Sequence, residues 1–268
     1  MSESQFEITK ENIDLYLKEL AKEYRKQVGK AFPAELILIG GAAVLINYGF
    51  RDMTTDVDAL IHASSGMKEA INRVGDRFGL PNGWLNADFK KTVSFSPKLA
   101  EFSVYYKTLS NVLTVRTVAA EYLIAMKLRS GRQYKSDLSD VIGILFEHEQ
   151  RGAPIGLEQV RKAAADLYGS WETLPETSRT FIENVIGSNQ LAVLYEQTAA
   201  GEKETKELLM QFEQDYPGTM KEANVDAIAG TLQKKTNRAS ILAKLREKQP
   251  PKEAGRTPSP KKKDDLER

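Results

Sequence analysis

The sequence contains no cysteine and only two histidines, His62 and His148. The lack of cysteine excludes a disulfide framework and a thiolate metal site, and it is typical of proteins from the reducing cytoplasm. With so few histidines, a zinc centre or a histidine-based catalytic triad is poorly supplied. The sequence therefore favours a cytoplasmic location and argues against zinc chemistry.

The chain also lacks a strong charge imbalance and a long apolar run. Its 268 residues carry a formal net charge of +1, so no whole-protein field favours nucleic acid or a membrane surface. No apolar run approaches the length of about 18 residues that a spanning helix needs, and the polar N-terminus has no signal-peptide core. With 41% hydrophobic and 28% charged residues, the composition is that of a globular protein. We predict no membrane partner.

Helix and strand patterns alternate up to about residue 117. Helical spacing of apolar residues predicts a first helix over 10–28, with Thr9 as its cap. Apolar runs that end at glycine predict further helices, and short apolar or alternating runs predict strands. The predicted strands are 35–40, 54–62, 101–108 and 111–118, with a turn at Ser110 and Asn111, and the predicted helices are 42–48 and 65–80. The segment 83–95 has no clear pattern.

From residue 119 onward the pattern is helical. The predicted helices are 119–131, 136–150, 157–168, 175–186, 189–199, 202–216, 220–235 and 237–247. After residue 248, four prolines, many charges and a single leucine predict a disordered tail. The predicted class is α+β: a small mixed β-sheet core flanked by helices over 1–117, an all-helical unit over 118–248, and a tail over 249–268.

The segment 36–61, LILIGGAAVLINYGFRDMTTDVDALI, combines two glycines with two acidic residues. Gly40 ends a predicted strand and Gly41 begins a predicted helix, so backbone N–H groups can approach a phosphate closely. Asp56 and Asp58 share one face of the next predicted strand, because side chains alternate along strands. Two carboxylates this close repel each other unless a cation lies between them, and Mg²⁺ shared with nucleotide phosphates is the most economical choice. The segment contains neither a P-loop nor a Rossmann fingerprint.

This order of elements resembles the nucleotidyltransferase superfamily of the DNA polymerase β type. Its motif is Gly-Gly or Gly-Ser, a helix, and Asp-x-Asp/Glu on the next strand, which IGG at 39–41 and DVD at 56–58 match. A second block, LTVRTVAAEYLIAMKLRSGRQYKSDLSDVIGIL, is similar to bacterial nucleotidyltransferase-like toxins of abortive-infection systems. Lys127 matches their A-x-K-L, and Asp137 and Asp140 match their D-x-x-D. The resemblance covers roughly residues 35–150.

The resemblance implies Mg²⁺-dependent transfer of a nucleotidyl group from a nucleoside triphosphate to a hydroxyl acceptor. Asp56 and Asp58 would bind the metal, Lys127 would place positive charge near the triphosphate, and Asp137 would orient Lys127 or a metal-bound group. The implied substrate-binding residues are Gly40, Gly41, Arg51, Thr55 and Asp140. It also implies a toxin of a toxin–antitoxin or phage-defence pair, with tRNA or a protein as the acceptor and an antitoxin as partner.

Several candidate residues also have a structural interpretation. Asp56 and Asp58 could lie at the exposed end of a strand, and Lys127 could lie on a solvated helix face. Asp137 could cap a helix, and Arg51 could be a favourable charge at a helix end. Asp140 could form an ion pair with Arg132 or Lys135.

The chain departs from the superfamily pattern in two places. A third carboxylate usually follows on a later strand, and the candidates here, Asp88 and Glu101, lie in no clear motif. Ala42 stands where many relatives carry serine, which removes one phosphate contact. One alternative function is therefore an inactive protein of the same fold that binds a nucleotide or a partner. Another is a small-molecule nucleotidyltransferase of the antibiotic-modifying kind, with an acidic acceptor pocket supplied by the helical unit.

Overall fold

The computed structural model describes residues 7–132, 136–221 and 224–234. The predicted helix 237–247 and the predicted tail 249–268 lie outside these ranges. Within them, strands and helices alternate up to residue 118 and helices alone follow, which confirms the predicted α+β class. The strands are β1 (Ile8–Thr9), β2 (Ala34–Leu38), β3 (Met53–Thr54), β4 (Val57–His62), β5 (Leu85–Asn86), β6 (Ser103–Leu109) and β7 (Leu113–Val118). The helices are α1 (Lys10–Val28), α2 (Gly40–Asn47), α3 (Gly66–Phe78), α4 (Ala120–Ser130), α5 (Asp137–Gln150), α6 (Leu157–Tyr168), α7 (Glu176–Ile186) and α8 (Leu191–Asp215), followed by a helical segment at 225–234.

The larger sheet has five strands in the order β5-β4-β2-β7-β6. Its central strand β2 is antiparallel to β4 and parallel to β7. β6 and β7 form an antiparallel hairpin whose turn residues, Ser110 and Asn111, have φ angles of 51° and 53°. A tight hairpin turn requires such left-handed residues, so the predicted turn is confirmed. Because β2 and β4 run antiparallel, Gly40 after β2 and Asp58 near the start of β4 meet at one end of the sheet.

The predicted strand 54–62 is in fact two strands that belong to different sheets. β3 pairs with β1 in a two-stranded sheet, whereas β4 pairs with β2 in the larger one. The chain passes from one sheet to the other at Thr55 and Asp56, so Asp56 precedes β4 and does not lie within a strand. The prediction of one continuous strand was wrong because a two-residue strand has too few residues to show its own pattern. β1 and β5, which are also two residues long, were not predicted for the same reason.

The predicted helices 189–199 and 202–216 form a single helix, α8. Gly201 lies between the two predicted helices, but glycine inside a helix costs only about 1 kcal/mol relative to alanine. The face of α8 that carries Glu202, Thr205 and Leu209 is buried, and α8 packs against α5. This tertiary packing keeps the helix continuous through Gly201. The prediction of two helices is therefore wrong.

One continuous hydrophobic core joins the sheet to the helices that follow it, and it extends along the chain from Ile8 to Val185. Helix α5 packs closely on Phe50, since a Cβ added to Gly143 would lie 2.6 Å from Cε2 of the Phe50 ring. A second, small apolar cluster connects α8 with the segment 225–234. Among the described helices, none has the length and apolar character needed to cross a membrane.

Candidate active site

A cleft of about 840 Å³ opens where the C-terminal end of β2 meets the start of β4. Its walls come from the start of α2, the start of β4, the segment 86–94 after β5, and the facing ends of α4 and α5. Five of the predicted site residues line it: Gly40, Asp56, Asp58, Lys127 and Asp137. Two blocks of sequence about 70 residues apart therefore meet at one cavity.

The two adjacent glycines meet different structural requirements. Gly40 begins α2 with a φ of +54°, a left-handed conformation that residues with a Cβ rarely adopt. Gly41 has no such φ, but an added Cβ would lie 2.7 Å from Thr54 Oγ1 and 2.9 Å from Arg51 Nη2. Gly40 therefore sets the backbone of the turn, whereas Gly41 leaves room for two side chains packed beneath it.

Asp56 and Asp58 lie at the edge of the cleft nearest the glycine turn. The backbone N–H of Ile39 donates to the Asp58 carbonyl oxygen at 3.0 Å, which joins the turn to β4. A Cβ on Gly40 would lie 3.7 Å from Asp58 Oδ2, so this carboxylate is next to the first residue of α2. Val57 and Ala59 are fully buried on the opposite face of the strand. Their burial fixes the strand and directs the carboxylates toward the cleft.

Lys127 is the centre of a buried chain of alternating charges. Its Nζ lies 3.0 Å from Asp137 Oδ1 and 2.7 Å from Asp140 Oδ2. Arg132 Nε lies 2.9 Å from the second oxygen of Asp137, and Arg51 bonds to Asp140. We call these five residues, Arg132, Asp137, Lys127, Asp140 and Arg51, the charge chain. With 6% of its side chain exposed, Lys127 does not lie on a solvated helix face.

The electrostatics of the charge chain favour the ionised forms of Lys127 and Asp137. Burial alone would raise the pKa of Asp137, but the positive charges of Lys127 and Arg132 outweigh it and lower the pKa to about 2. Burial would likewise lower the pKa of Lys127, but Asp137 and Asp140 outweigh it and raise that pKa. With three cations and two anions, the chain carries one net positive charge next to the cleft at neutral pH.

Four predicted substrate-binding residues do not line the cleft. Arg51 and Asp140 bond to each other behind it, and Gly41 packs against Arg51. Thr55 is exposed at the passage between the two sheets. Asp140 was expected to pair with Arg132 or Lys135, whereas its partners are Lys127 and Arg51, and Lys135 lies outside the described residues.

Of the two candidates for a third carboxylate, Asp88 lines the cleft and Glu101 does not. Asp88 is well exposed and bonds to Lys91 at 2.7 Å. Within the described ranges, no group of three or more acidic or histidine side chains is arranged to hold a metal ion.

Four further residues line the cleft that were not predicted from the sequence: Asn86, Ser130, Arg132 and Asp226. A role for Arg132 could have been inferred from the sequence, because it is the first basic residue of the link between the two helices of the second sequence block. Asn86 belongs to the missed strand β5. Asp226 comes from the segment 225–234, which is far from the motifs along the chain, so no local pattern could have indicated it.

We expect Gly40→Ala to destabilise the protein by about 1–2 kcal/mol, because alanine must adopt a left-handed conformation there. The new Cβ would be in ordinary contact with Asp58, so a clash does not contribute. Urea denaturation measures the change. A matched control is Gly201→Ala inside α8, where nothing lies near the added Cβ and where alanine should stabilise the helix. Loss of stability in both variants would show that the φ of Gly40 is not the cause.

Comparison with known protein families adds independent information about this cleft. A family model described as a nucleotidyltransferase of unknown function (DUF6036) matches residues 16–151, just over half of the chain. The matched segment begins in α1 and ends directly after α5, so it includes the glycine turn, both aspartates and the whole charge chain. Its description names a type of enzyme without a substrate. No curated protein and no solved structure matches the chain.

Proposed function

Since the chain belongs to this family of nucleotidyltransferases of unknown function, we propose that it transfers a nucleotidyl group from a nucleoside triphosphate to a hydroxyl acceptor, with Mg²⁺ as cofactor. One observation carries the proposal: Gly40, Asp56 and Asp58 share a cleft with Lys127, although the two groups come from separate parts of the chain. Family membership supports the proposed type of reaction, and the shared cleft supports the choice of these residues.

Asp56 and Asp58 would hold the metal. Mg²⁺ in phosphoryl-transfer sites is commonly bound by one or two carboxylates and completed by waters and substrate phosphates, so two aspartates are a sufficient protein contribution. When bound, the metal would neutralise charge on the triphosphate and lower the pKa of the acceptor hydroxyl. The lack of histidine and cysteine among the cleft residues also favours a metal that prefers oxygen ligands.

The remaining cleft residues would position the triphosphate. The N-terminus of α2 presents backbone N–H groups and a partial positive charge, and Ile39, the residue before it, makes no capping hydrogen bond with its side chain. Lys127 and Arg132 would provide the positive charge on the other side. Lys127 would remain paired with Asp137 and Asp140 while it provides this charge. Asp137 would therefore act by fixing the position of Lys127, as the resemblance implies.

The direct test is to incubate the protein with each labelled nucleoside triphosphate, Mg²⁺ and a cell extract. We expect label in a macromolecular or small-molecule fraction, and its loss when EDTA is added. Separating RNA, protein and small molecules then identifies the class of acceptor. Folded protein that labels no fraction with any of the four nucleotides would contradict the proposal.

We further propose that the transfer serves as a toxin activity, with tRNA or a protein as acceptor and an antitoxin as partner. The support is the resemblance of the block around Lys127 to abortive-infection toxins. Induced expression in bacteria should then arrest growth. Growth arrest that is equally strong for a variant with both Asp56 and Asp58 replaced by asparagine would contradict a toxin activity based on transfer.

Two other functions each have one observation in their favour. An inactive nucleotide-binding protein is favoured by the absence, among described residues, of a third carboxylate grouped with Asp56 and Asp58. Nucleotide binding that needs neither Mg²⁺ nor the two aspartates would support it. A small-molecule acceptor, such as a basic antibiotic, is favoured by Asp226, a carboxylate that the later helical part of the chain contributes to the cleft. Label recovered only in the small-molecule fraction would support that function.

A further inference from the structure

A carboxylate from α8 lies at the N-terminus of α5. Glu202 Oε1 accepts hydrogen bonds from the backbone N–H groups of Leu138 at 2.9 Å and Ser139 at 3.4 Å. The residue is buried, with 7% exposed. In the described part of the chain its second oxygen, Oε2, is also buried and has no hydrogen-bond partner. A buried carboxylate held by one oxygen has a structural cost, so its position needs an explanation.

Glu202 takes the place of a helix cap. Ser136, the residue before α5, makes no capping hydrogen bond with its side chain. The first N–H groups of a helix need acceptors, and here two of them find one on another helix. The same first turn carries Asp137 and Asp140, the two carboxylates that hold Lys127. The position of Lys127 at the cleft therefore depends on a turn that is secured from α8.

We propose that Glu202 is a positioning residue that fixes the first turn of α5 and, through Asp137 and Asp140, the ammonium group of Lys127. Its contribution to transfer rests on the proposed function, whereas its hold on α5 does not. Helix α8 lies beyond the family match, which ends at residue 151. The later helical part of the chain would thus act on Lys127, which belongs to the matched segment.

The hold on α5 is tested by hydrogen exchange of its first turn, which requires no enzymatic activity. Glu202→Ala leaves the N–H groups of Leu138 and Ser139 without this acceptor, and we expect their exchange to become about tenfold faster. Glu202→Gln keeps an oxygen acceptor and should remain close to the wild type. Glu204→Ala, at an exposed position of the same helix, is the matched control. Equal exchange in the Glu202→Ala and Glu204→Ala variants would overturn the proposal.

Steady-state kinetics test the step from α5 to Lys127. We expect Glu202→Ala to lower kcat/KM for the nucleoside triphosphate about tenfold, mainly through KM, and Glu202→Gln to restore most of the loss. Faster exchange in α5 combined with unchanged kinetics would overturn the positioning role and leave only a helix cap. If the wild type transfers nothing, the proposed function fails, while hydrogen exchange still decides whether Glu202 holds α5.

A pH series gives a third readout. Burial raises the pKa of Glu202 from 4.5 to about 7, repulsion from Asp140 adds to this, and the hydrogen bonds from Leu138 and Ser139 act in the opposite direction. Asp140 is bonded in turn to Lys127 and Arg51, which are the cations on that side, and Tyr195 of α8 also faces the carboxylate.

The sign of the pH effect follows from the raised pKa. Because the folded pKa is above the unfolded value, the stabilisation by Glu202 is complete below about pH 4.5 and is lost as pH rises through about 7. The Tm of wild type should therefore fall relative to that of Glu202→Gln between about pH 5 and 8. The Tm of Glu204→Gln should follow the wild type throughout. Parallel curves for wild type and Glu202→Gln would contradict the buried placement of this carboxylate.

Discussion

Replacing Asp56 and Asp58 together by asparagine should reduce nucleotidyl transfer at least about a thousandfold while the protein stays folded. Asparagine keeps the shape of aspartate but has no charge with which to hold Mg²⁺. Asparagine also matches aspartate in size, so the variant should keep the wild-type fold. Transfer is measured as label incorporated per unit time, and folding by circular dichroism of the same samples.

Two further variants make this result specific. Asp76→Asn changes an exposed aspartate of α3 away from the cleft and should leave transfer unchanged. Asp88→Asn tests whether the exposed carboxylate in the cleft acts as a third ligand, in which case the loss should approach that of the double variant. Transfer that persists in the Asp56→Asn/Asp58→Asn protein would show that the reaction, if enzymatic, takes place elsewhere.

Lys127→Ala should destabilise the protein by about 3–5 kcal/mol, because it leaves two buried carboxylates without the cation between them. Among the described residues, the remaining cationic partners would be Arg132 for Asp137 and Arg51 for Asp140, each at the outer end of the charge chain. For a chain of this size the loss corresponds to a fall in Tm of about 10 °C. Thermal denaturation followed by circular dichroism measures it.

The control for Lys127 is an exposed lysine with an acidic partner. Lys162 of α6 pairs with Asp166 on the surface, and its replacement by alanine should cost at most about 1 kcal/mol. A similar loss in the free energy of unfolding for Lys127→Ala and Lys162→Ala would contradict the burial and pairing of Lys127.

Acid pH provides a second check on Lys127. The lowered pKa of Asp137 stabilises the wild type above about pH 4, and this contribution is lost as pH falls through about 2. In the Lys127→Ala variant Asp137 loses the larger of its two cationic influences, so its carboxyl takes up a proton at higher pH. The stability difference between variant and wild type should therefore be smaller at about pH 4 than at pH 7.

Elements with strong local signals could be predicted from the sequence. The first helix was predicted over the residues that α1 occupies, because its apolar spacing and its cap are contained within one segment. The β6–β7 hairpin was predicted from two alternating runs and the turn at Ser110 and Asn111. The strands β1, β3 and β5 could not be predicted, since each has two residues and forms only by pairing with another strand.

The residues of the candidate site likewise fall into those that the sequence predicted and those that it could not predict. Gly40, Asp56 and Asp58 lie within one short segment, and their order was enough to bring them together. The partners of Lys127 were predicted in part, because Asp137 lies only ten residues away along the chain. Its second partner, Asp140, was assigned to other cations, and Glu202 was not considered, since its contact with α5 bridges more than 60 residues. Such contacts depend on how helices pack and have no signature in local sequence.

Gly41 has a consequence for how this family can diverge. The space that its missing Cβ leaves is filled by Thr54 and Arg51, and Arg51 is an end member of the charge chain. A relative that carries serine at position 41 must therefore have a smaller or repositioned side chain at position 51 or 54. If Arg51 is the residue that changes, Asp140 loses a partner and should change as well. Positions 41, 51, 54 and 140 should thus vary together among related sequences, whereas Gly40 should remain glycine irrespective of them.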